Sequence, residues 1–138
     1  MASIYSAFDH GGNMIKPYIE YDKTKAESNK RGDILKQEVF SLEAANTIKE
    51  TLIQVIENKE GTAKDMKIDG ITMAGKTGTA ELKNSSEDTE SGTLGWFNCF
   101  TINKPDGNDL LIISMVENQQ DNQDGGSHYL IKKIRTLF

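Results

Sequence analysis

Apolar residues recur with the 3.6-residue period of an amphipathic helix in three parts of the chain. The first helix is predicted to begin at residue 1 and to end before Gly11-Gly12. The second runs from about Leu42 to Lys59 behind an N-cap at Ser41, and the third begins at Ser127. Because the first apolar stripe begins at residue 1 with no capping residue before it, we expect the chain to be a piece of a longer polypeptide.

Three other segments are predicted to be strands of one antiparallel sheet. Ile71–Leu82 is rich in β-branched and small residues, and Thr93–Asn103 contains Trp96, Phe97, Phe100 and Ile102. Leu110–Val116 is a continuous apolar run expected to be covered on both faces. Pro17 confines the extended segment Asn13–Tyr21 to a sheet edge or to irregular structure. A tight turn is predicted at Lys104–Asn108. Three polar segments are predicted to be surface loops: Asp22–Asp33, Asn84–Gly92 and Asn118–Gly126. Three consecutive C-terminal strands packed with helices indicate an α+β fold.

Composition narrows the possible partners of the 138-residue chain. Its formal net charge of -5 repels nucleic acid, so no nucleic-acid partner is expected. No apolar run approaches the roughly 20 residues of a spanning helix. The first five residues lack the basic flank and apolar core of a signal peptide. This segment is therefore predicted to carry no signal or anchor and to make no membrane contact of its own.

Metal and disulfide chemistry are not expected. Cys99 is the only cysteine, which excludes an intrachain disulfide and a four-cysteine metal site. His10 and His128 are far apart and belong to no metal-ligand spacing, so each is interpreted as a helix-end residue. No metal or cofactor is predicted.

The sequence Lys76-Thr77-Gly78 is compatible with two different chemistries. Counted from Gly70, the residues spell G-x-x-x-x-G-K-T, the phosphate-binding loop of nucleotide hydrolases. That loop needs a buried strand before it and a helix after it. The residues before Gly70 are polar, and a short extended stretch followed by a polar loop comes after Thr77, so the context is wrong for a phosphate loop.

The alternative is a strand that binds a carboxylate. On a strand, Thr77 and Thr79 share one face while Lys76 and Gly78 share the other. Two hydroxyls on one face can bind a carboxylate, and a lysine supplies positive charge. Lys76 can contribute only if the strand lies at a rim from which both faces reach the same cleft.

The wider sequence resembles a known family. Gly75-Lys76-Thr77-Gly78-Thr79-Ala80-Glu81, with Gly61-Thr62-Ala63 before it and Gly95-Trp96-Phe97 on the return strand, resembles the C-terminal part of a penicillin-binding protein transpeptidase domain. The opening Met1–Phe8 with Gly11-Gly12 and Lys16-Pro17 is similar to the segment after the family's second motif. The continuation Thr79–Lys83 most resembles the class B enzymes.

The resemblance implies a role for each residue of the strand. Lys76 would orient the substrate carboxylate, and Thr77, Gly78 and Thr79 would bind the substrate, with the backbone N–H of Thr79 as one oxyanion donor. Trp96 and Phe97 could line the cleft, although aromatic residues on such a sheet are more often part of the core. In this family the serine of an S-x-x-K motif is acylated by a peptidoglycan stem peptide or a β-lactam.

Two of the family's three motifs are missing from residues 1–138. No serine is followed three residues later by lysine, and no S-x-N occurs. The sequence therefore predicts a transpeptidase fragment, inactive alone, whose partners are the remainder of the domain and, in the parent protein, stem peptide or β-lactam. The resemblance places the parent at the extracytoplasmic face of the bacterial membrane. A non-covalent peptide-binding module and a nucleotide-binding protein are the alternatives.

Overall fold

The computed structural model describes residues 1–18, 32–82, 92–117 and 126–138. These residues form two compact units, Met1–Glu50 and Thr51–Phe138. Most of the three predicted polar loops lies outside the described residues. In chain order the elements are α1 (Ala2–Asp9), β1 (Met14–Ile15), β2 (Ile34–Lys36), α2 (Leu42–Glu57), a short 3-10 helix (Lys64–Met66), β3 (Met73–Glu81), β4 (Thr93–Thr101), β5 (Leu111–Glu117) and α3 (Gly126–Arg135).

The first unit combines α1, a two-stranded antiparallel sheet of β1 and β2, and most of α2. The sequence predicts the helices but not β2, whose three residues are all exposed and show no alternation. Phe8 of α1 stacks on Phe40, with ring centroids 5.1 Å apart. Gly12 has a φ of +94°, and a Cβ there would lie 2.0 Å from the Phe40 carbonyl oxygen. The predicted stop at Gly11-Gly12 thus reflects a close approach that only glycine permits.

The α2 helix begins as predicted and ends two residues earlier than predicted. The Ser41 hydroxyl accepts the backbone N–H of Ala44 at 3.1 Å, which is the predicted N-cap. Beyond the end of the helix, the chain turns back tightly against it. The N–H of Gly61 donates to the Asn58 carbonyl at 2.8 Å, and that of Ala63 donates to the Val55 carbonyl at 3.0 Å. This turn carries the chain to the 3-10 helix, which the sequence pattern does not predict.

The second unit is built on an antiparallel sheet of order β3-β4-β5, as predicted. The face that carries Phe97 and Cys99 packs against α3, the end of α2 and the 3-10 helix. Phe97 is fully buried, so its interpretation as a core residue is confirmed. The core of this unit consists of Ile56, Ala63, Met66, Met73, Phe97, Cys99, Leu130, Ile131 and Ile134. The α+β fold is confirmed.

The prediction that the third strand is covered on both faces is wrong. Ile112 and Val116 of β5 pack on the core, but Leu111 and Met115 on the other face are 38% and 47% exposed. The reason is that α3 covers only one face of the sheet, and β5 is an edge strand in the described part of the chain. Leu137, which lies beyond the end of α3 at Arg135, is also exposed.

Gly95→Ala is expected to destabilise the second unit. A Cβ at Gly95 would lie 2.5 Å from backbone atoms of Gly126, and backbone cannot rotate away as a side chain can. We expect a loss of about 1–3 kcal/mol, or a fall in Tm of roughly 5–10 °C, in thermal unfolding followed by circular dichroism. Gly78→Ala on β3 is the matched control, because its Cβ would meet only Trp96 at an ordinary 3.4 Å. Equal Tm values for the two variants would contradict this packing.

Candidate functional site

β3 is a regular strand over the whole Lys-Thr-Gly sequence. Lys76 pairs with Asn98 of β4, Thr77 with Phe97, and Gly78 with Trp96. Thr77 and Thr79 therefore share the face of the sheet that carries Phe97, and Lys76 and Gly78 lie on the opposite face. This alternation confirms the predicted strand. It also contradicts the phosphate-loop alternative, because the residues that would wrap a phosphate are extended and paired with β4.

The backbone of Thr77 and Thr79 faces the outer edge of the sheet. Among the described residues, β3 pairs only with β4, so its other edge is open. The N–H of Leu82 donates to the Gly92 carbonyl, and the N–H of Ile102 donates to the Thr72 carbonyl. Since bonding residues alternate along an antiparallel ladder, the even-numbered residues of β3 bond to β4 and the odd-numbered ones point outward. The edge thus offers the N–H and C=O groups of Thr77 and Thr79 to a ligand.

Lys76 reaches this edge although its Cβ lies on the opposite face from the threonine side chains. The ammonium donates to the Thr77 backbone carbonyl at 2.8 Å, and that carbonyl points outward from the edge. The long side chain is exposed and bends round the rim of the strand. This bend brings the ammonium of Lys76 to the outward backbone of Thr77, which is the part of the sequence condition that concerns the lysine. A positive charge and two hydroxyl-bearing residues therefore line one strand edge.

Thr77 is also fixed by a residue that the sequence pattern does not single out as functional. Its hydroxyl oxygen lies 3.0 Å from the hydroxyl oxygen of Thr62, in the turn after α2. The contact joins positions 15 residues apart, so no local pattern could reveal it. Thr77 is half-buried, whereas Thr79 is exposed two residues further along the same face.

Gly78 and Trp96 lie opposite each other on the Lys76 face. Trp96 lies on the central strand β4 and is half-buried. The backbone groups of Gly78 point towards β4 and not towards the open edge. Gly78 therefore affects the edge only because it has no side chain to occupy space there. Both residues stay predicted substrate contacts on grounds of position.

No activated nucleophile accompanies the strand edge in the described residues. Burial without a compensating partner raises the pKa of the Cys99 thiol to about 12, so this thiol stays protonated and inert at neutral pH. The Ser114 hydroxyl donates to the Phe97 carbonyl, and the Ser6 hydroxyl donates to the Ser3 carbonyl at 2.8 Å. Within the described ranges, no group of three or more His, Cys, Asp or Glu could hold a metal ion. The described part of the β3 edge thus carries hydrogen-bond donors of the kind that a carboxylate or an oxyanion accepts.

None of the described helices is long and apolar enough to cross a bilayer. His10 caps the end of α1, and His128 lies in the first turn of α3, as interpreted from the sequence.

The curated relatives of the chain include two proteins of Bacillus subtilis and one of Mycobacterium tuberculosis. Penicillin-binding protein 3 of Bacillus subtilis (strain 168) is 37% identical over 100% of the chain and 19% of its own length. Stage V sporulation protein D of the same organism is 30% identical over 88% of the chain and 19% of its length. Penicillin-binding protein PbpB of Mycobacterium tuberculosis (strain ATCC 25618 / H37Rv) is 27% identical over 91% of the chain and 19% of its length. The chain thus spans about a fifth of each relative.

Almost the whole chain also matches the sequence model of one protein family. A sequence model described as the penicillin binding protein transpeptidase domain matches residues 1–133. That range includes the whole first unit, the second unit except for residues 134–138, and the whole of the three-stranded sheet. The chain belongs to the penicillin-binding protein transpeptidase family.

Proposed function

We propose that residues 1–138 are the C-terminal, substrate-binding portion of a serine D,D-transpeptidase domain. The parent polypeptide cross-links peptidoglycan stem peptides at the extracytoplasmic face of the membrane, and its S-x-x-K serine lies outside this chain. The observation that carries the proposal is the open edge of β3, where the Lys76 ammonium meets the outward backbone of Thr77. The names of the relatives support the same class of protein.

Each residue of the edge has a role in this proposal. The ammonium of Lys76 attracts the carboxylate at the end of a stem peptide or on a β-lactam, and the hydroxyls of Thr77 and Thr79 donate to it. The outward N–H of Thr79 donates to the oxyanion that forms when the serine attacks the acyl carbon. The ligand backbone lies along the edge as an added strand. Gly78 leaves room beside Trp96 for the ligand.

Lys76→Ala is the experiment that tests this assignment. The substitution is made in a chimeric protein, called the chimera below. In it, residues 1–138 replace the matching segment of Bacillus subtilis Penicillin-binding protein 3, a relative that matches the whole chain. A hydrogen bond to a charged group contributes about 1.5–3 kcal/mol, so we expect the rate constant for acylation by fluorescent penicillin to fall about 10- to 100-fold.

Lys64→Ala is the matched control for this test. Lys64 is an exposed lysine on the 3-10 helix, so its removal changes the net charge equally without touching the β3 edge. We expect its acylation rate to stay within about twofold of the unaltered chimera. Equal rates for Lys76→Ala and Lys64→Ala would contradict the assigned role of Lys76.

A second candidate function is non-covalent peptide binding by the chain itself. The observation in its favour is that the chain has the open edge of β3 but has no serine in an S-x-x-K motif. Titration of the 138-residue chain with a D-Ala-D-Ala peptide, followed by calorimetry, separates the two. Binding that is lost in Thr77→Val would support the module, whereas no measurable binding by a folded chain would exclude it.

A further inference from the structure

The hydroxyl of Thr62 is held in a fixed position against Thr77. The residues on either side of it are anchored: the N–H of Gly61 donates to the Asn58 carbonyl, and the N–H of fully buried Ala63 donates to the Val55 carbonyl. The turn therefore places the Thr62 side chain over β3, with 3.0 Å between the two hydroxyl oxygens. Thr62 itself is exposed, so its contact with Thr77 lies at the surface of the protein and not in the core.

A count of hydrogens decides which threonine donates when a ligand is bound. A threonine hydroxyl has one hydrogen to donate, and an ionised carboxylate can only accept. If Thr77 binds the carboxylate, its single hydrogen points to that carboxylate. The contact between Thr62 and Thr77 then persists only when Thr62 is the donor and Thr77 the acceptor.

We infer that Thr62 is a positioning residue that donates to Thr77 and so aims the Thr77 hydroxyl at the substrate carboxylate. This inference rests on the proposed function of the β3 edge. Donation by Thr62 polarises the Thr77 hydroxyl and strengthens its bond to the carboxylate, because consecutive hydrogen bonds reinforce one another. It also restricts the Thr77 side chain to the rotamer that faces Thr62. Thr62 does both without touching the substrate.

Thr62→Val in the chimera removes the hydroxyl and keeps the shape of the side chain. The probes are a penicillin with a free carboxylate and its methyl ester, each measured by competition with fluorescent penicillin. For the free acid we expect acylation to slow about fivefold, the typical effect of one neutral hydrogen bond. For the ester we expect no change, since the carboxylate that Thr77 binds is absent. A purely structural defect would slow both probes alike.

Three further variants complete the test. Thr62→Ser keeps the hydroxyl and should restore the acid rate to within about twofold of the unaltered chimera. Thr136→Val makes the same change at an exposed threonine whose hydroxyl donates to the Lys133 carbonyl, and it should leave both rates unchanged. In a Thr77→Val background, Thr62→Val should have no additional effect, because the hydroxyl that it positions is gone. Thr62→Ala repeats the measurement if the valine variant does not fold.

The outcomes separate this inference from the proposed function. If penicillin does not label the unaltered chimera, the proposed function fails and the role of Thr62 fails with it. If the chimera is labelled and Thr62→Val reacts with the free acid at the unaltered rate, only the role of Thr62 is overturned. Equal slowing of acid and ester, or full additivity with Thr77→Val, would also overturn it.

Discussion

The isolated 138-residue chain is expected to form no covalent adduct with fluorescent penicillin, whereas the chimera with Bacillus subtilis Penicillin-binding protein 3 is labelled once per polypeptide. Acyl transfer to an enzyme needs an activated nucleophile, and no S-x-x-K occurs in residues 1–138. The only thiol, Cys99, is buried with its pKa raised to about 12. A thiol whose pKa is raised this far is protonated at pH 7 and does not act as a nucleophile.

Gel fluorescence and the mass of the intact chain measure this labelling. Chimera that has been heat-denatured before the penicillin is added serves as the control for non-specific reaction and should be unlabelled. Stoichiometric labelling of the isolated, folded chain would mean that a nucleophile is present within residues 1–138. That result would contradict the proposed position of the serine outside this segment.

Thr79→Pro in the chimera is expected to slow acylation by penicillin about 100- to 1000-fold. The N–H of Thr79 points outward from the open edge of β3, so proline removes this donor without removing a bond to β4. Loss of one oxyanion donor typically lowers the rate by this factor. Proline is tolerated on edge strands where its missing N–H would have faced outward. The acylation rate constant is measured by stopped-flow or quenched gel labelling.

Two companion variants isolate the N–H of Thr79 from other effects. Thr79→Val removes the hydroxyl and keeps the N–H, so it should slow acylation much less than Thr79→Pro. Glu81→Pro places proline at the next outward-facing position of the same strand, where it pairs with Thr93. It should react within about a few fold of the unaltered chimera. If Glu81→Pro is as slow as Thr79→Pro, the defect lies in the strand and not in the oxyanion donor.

The sequence predicts those parts of the fold that depend on local patterns. The α2 helix follows from its apolar stripe and the Ser41 cap, and β3 follows from β-branched residues interrupted by small ones. The alternation of Lys76 and Thr77 along the strand is a local property as well. The exposed three-residue strand β2 has no such pattern, and its pairing with β1 arises from contacts distant in sequence.

The site could be predicted only in part, because its geometry depends on register. The pairing of β3 with β4 decides which β3 residues face the open edge. Lys76 can bend round the rim only because that edge is open. The contact of Thr62 with Thr77 depends on the turn that closes α2. The sequence predicts the wrong cover for β5 for a similar reason, since an apolar run does not reveal how many faces of a strand are covered.

The position of a bound carboxylate on β3 is the central claim, and a crystal structure of the chimera acylated by a penicillin tests it most directly. We expect one carboxylate oxygen within hydrogen-bonding distance, about 2.6–3.0 Å, of the hydroxyls of Thr77 and Thr79, and the acyl oxygen about 2.7–3.1 Å from the Thr79 nitrogen. The ammonium of Lys76 should lie beside that carboxylate. A penicillin whose carboxylate lies away from the β3 edge, with both hydroxyls unoccupied by the ligand, would contradict the account.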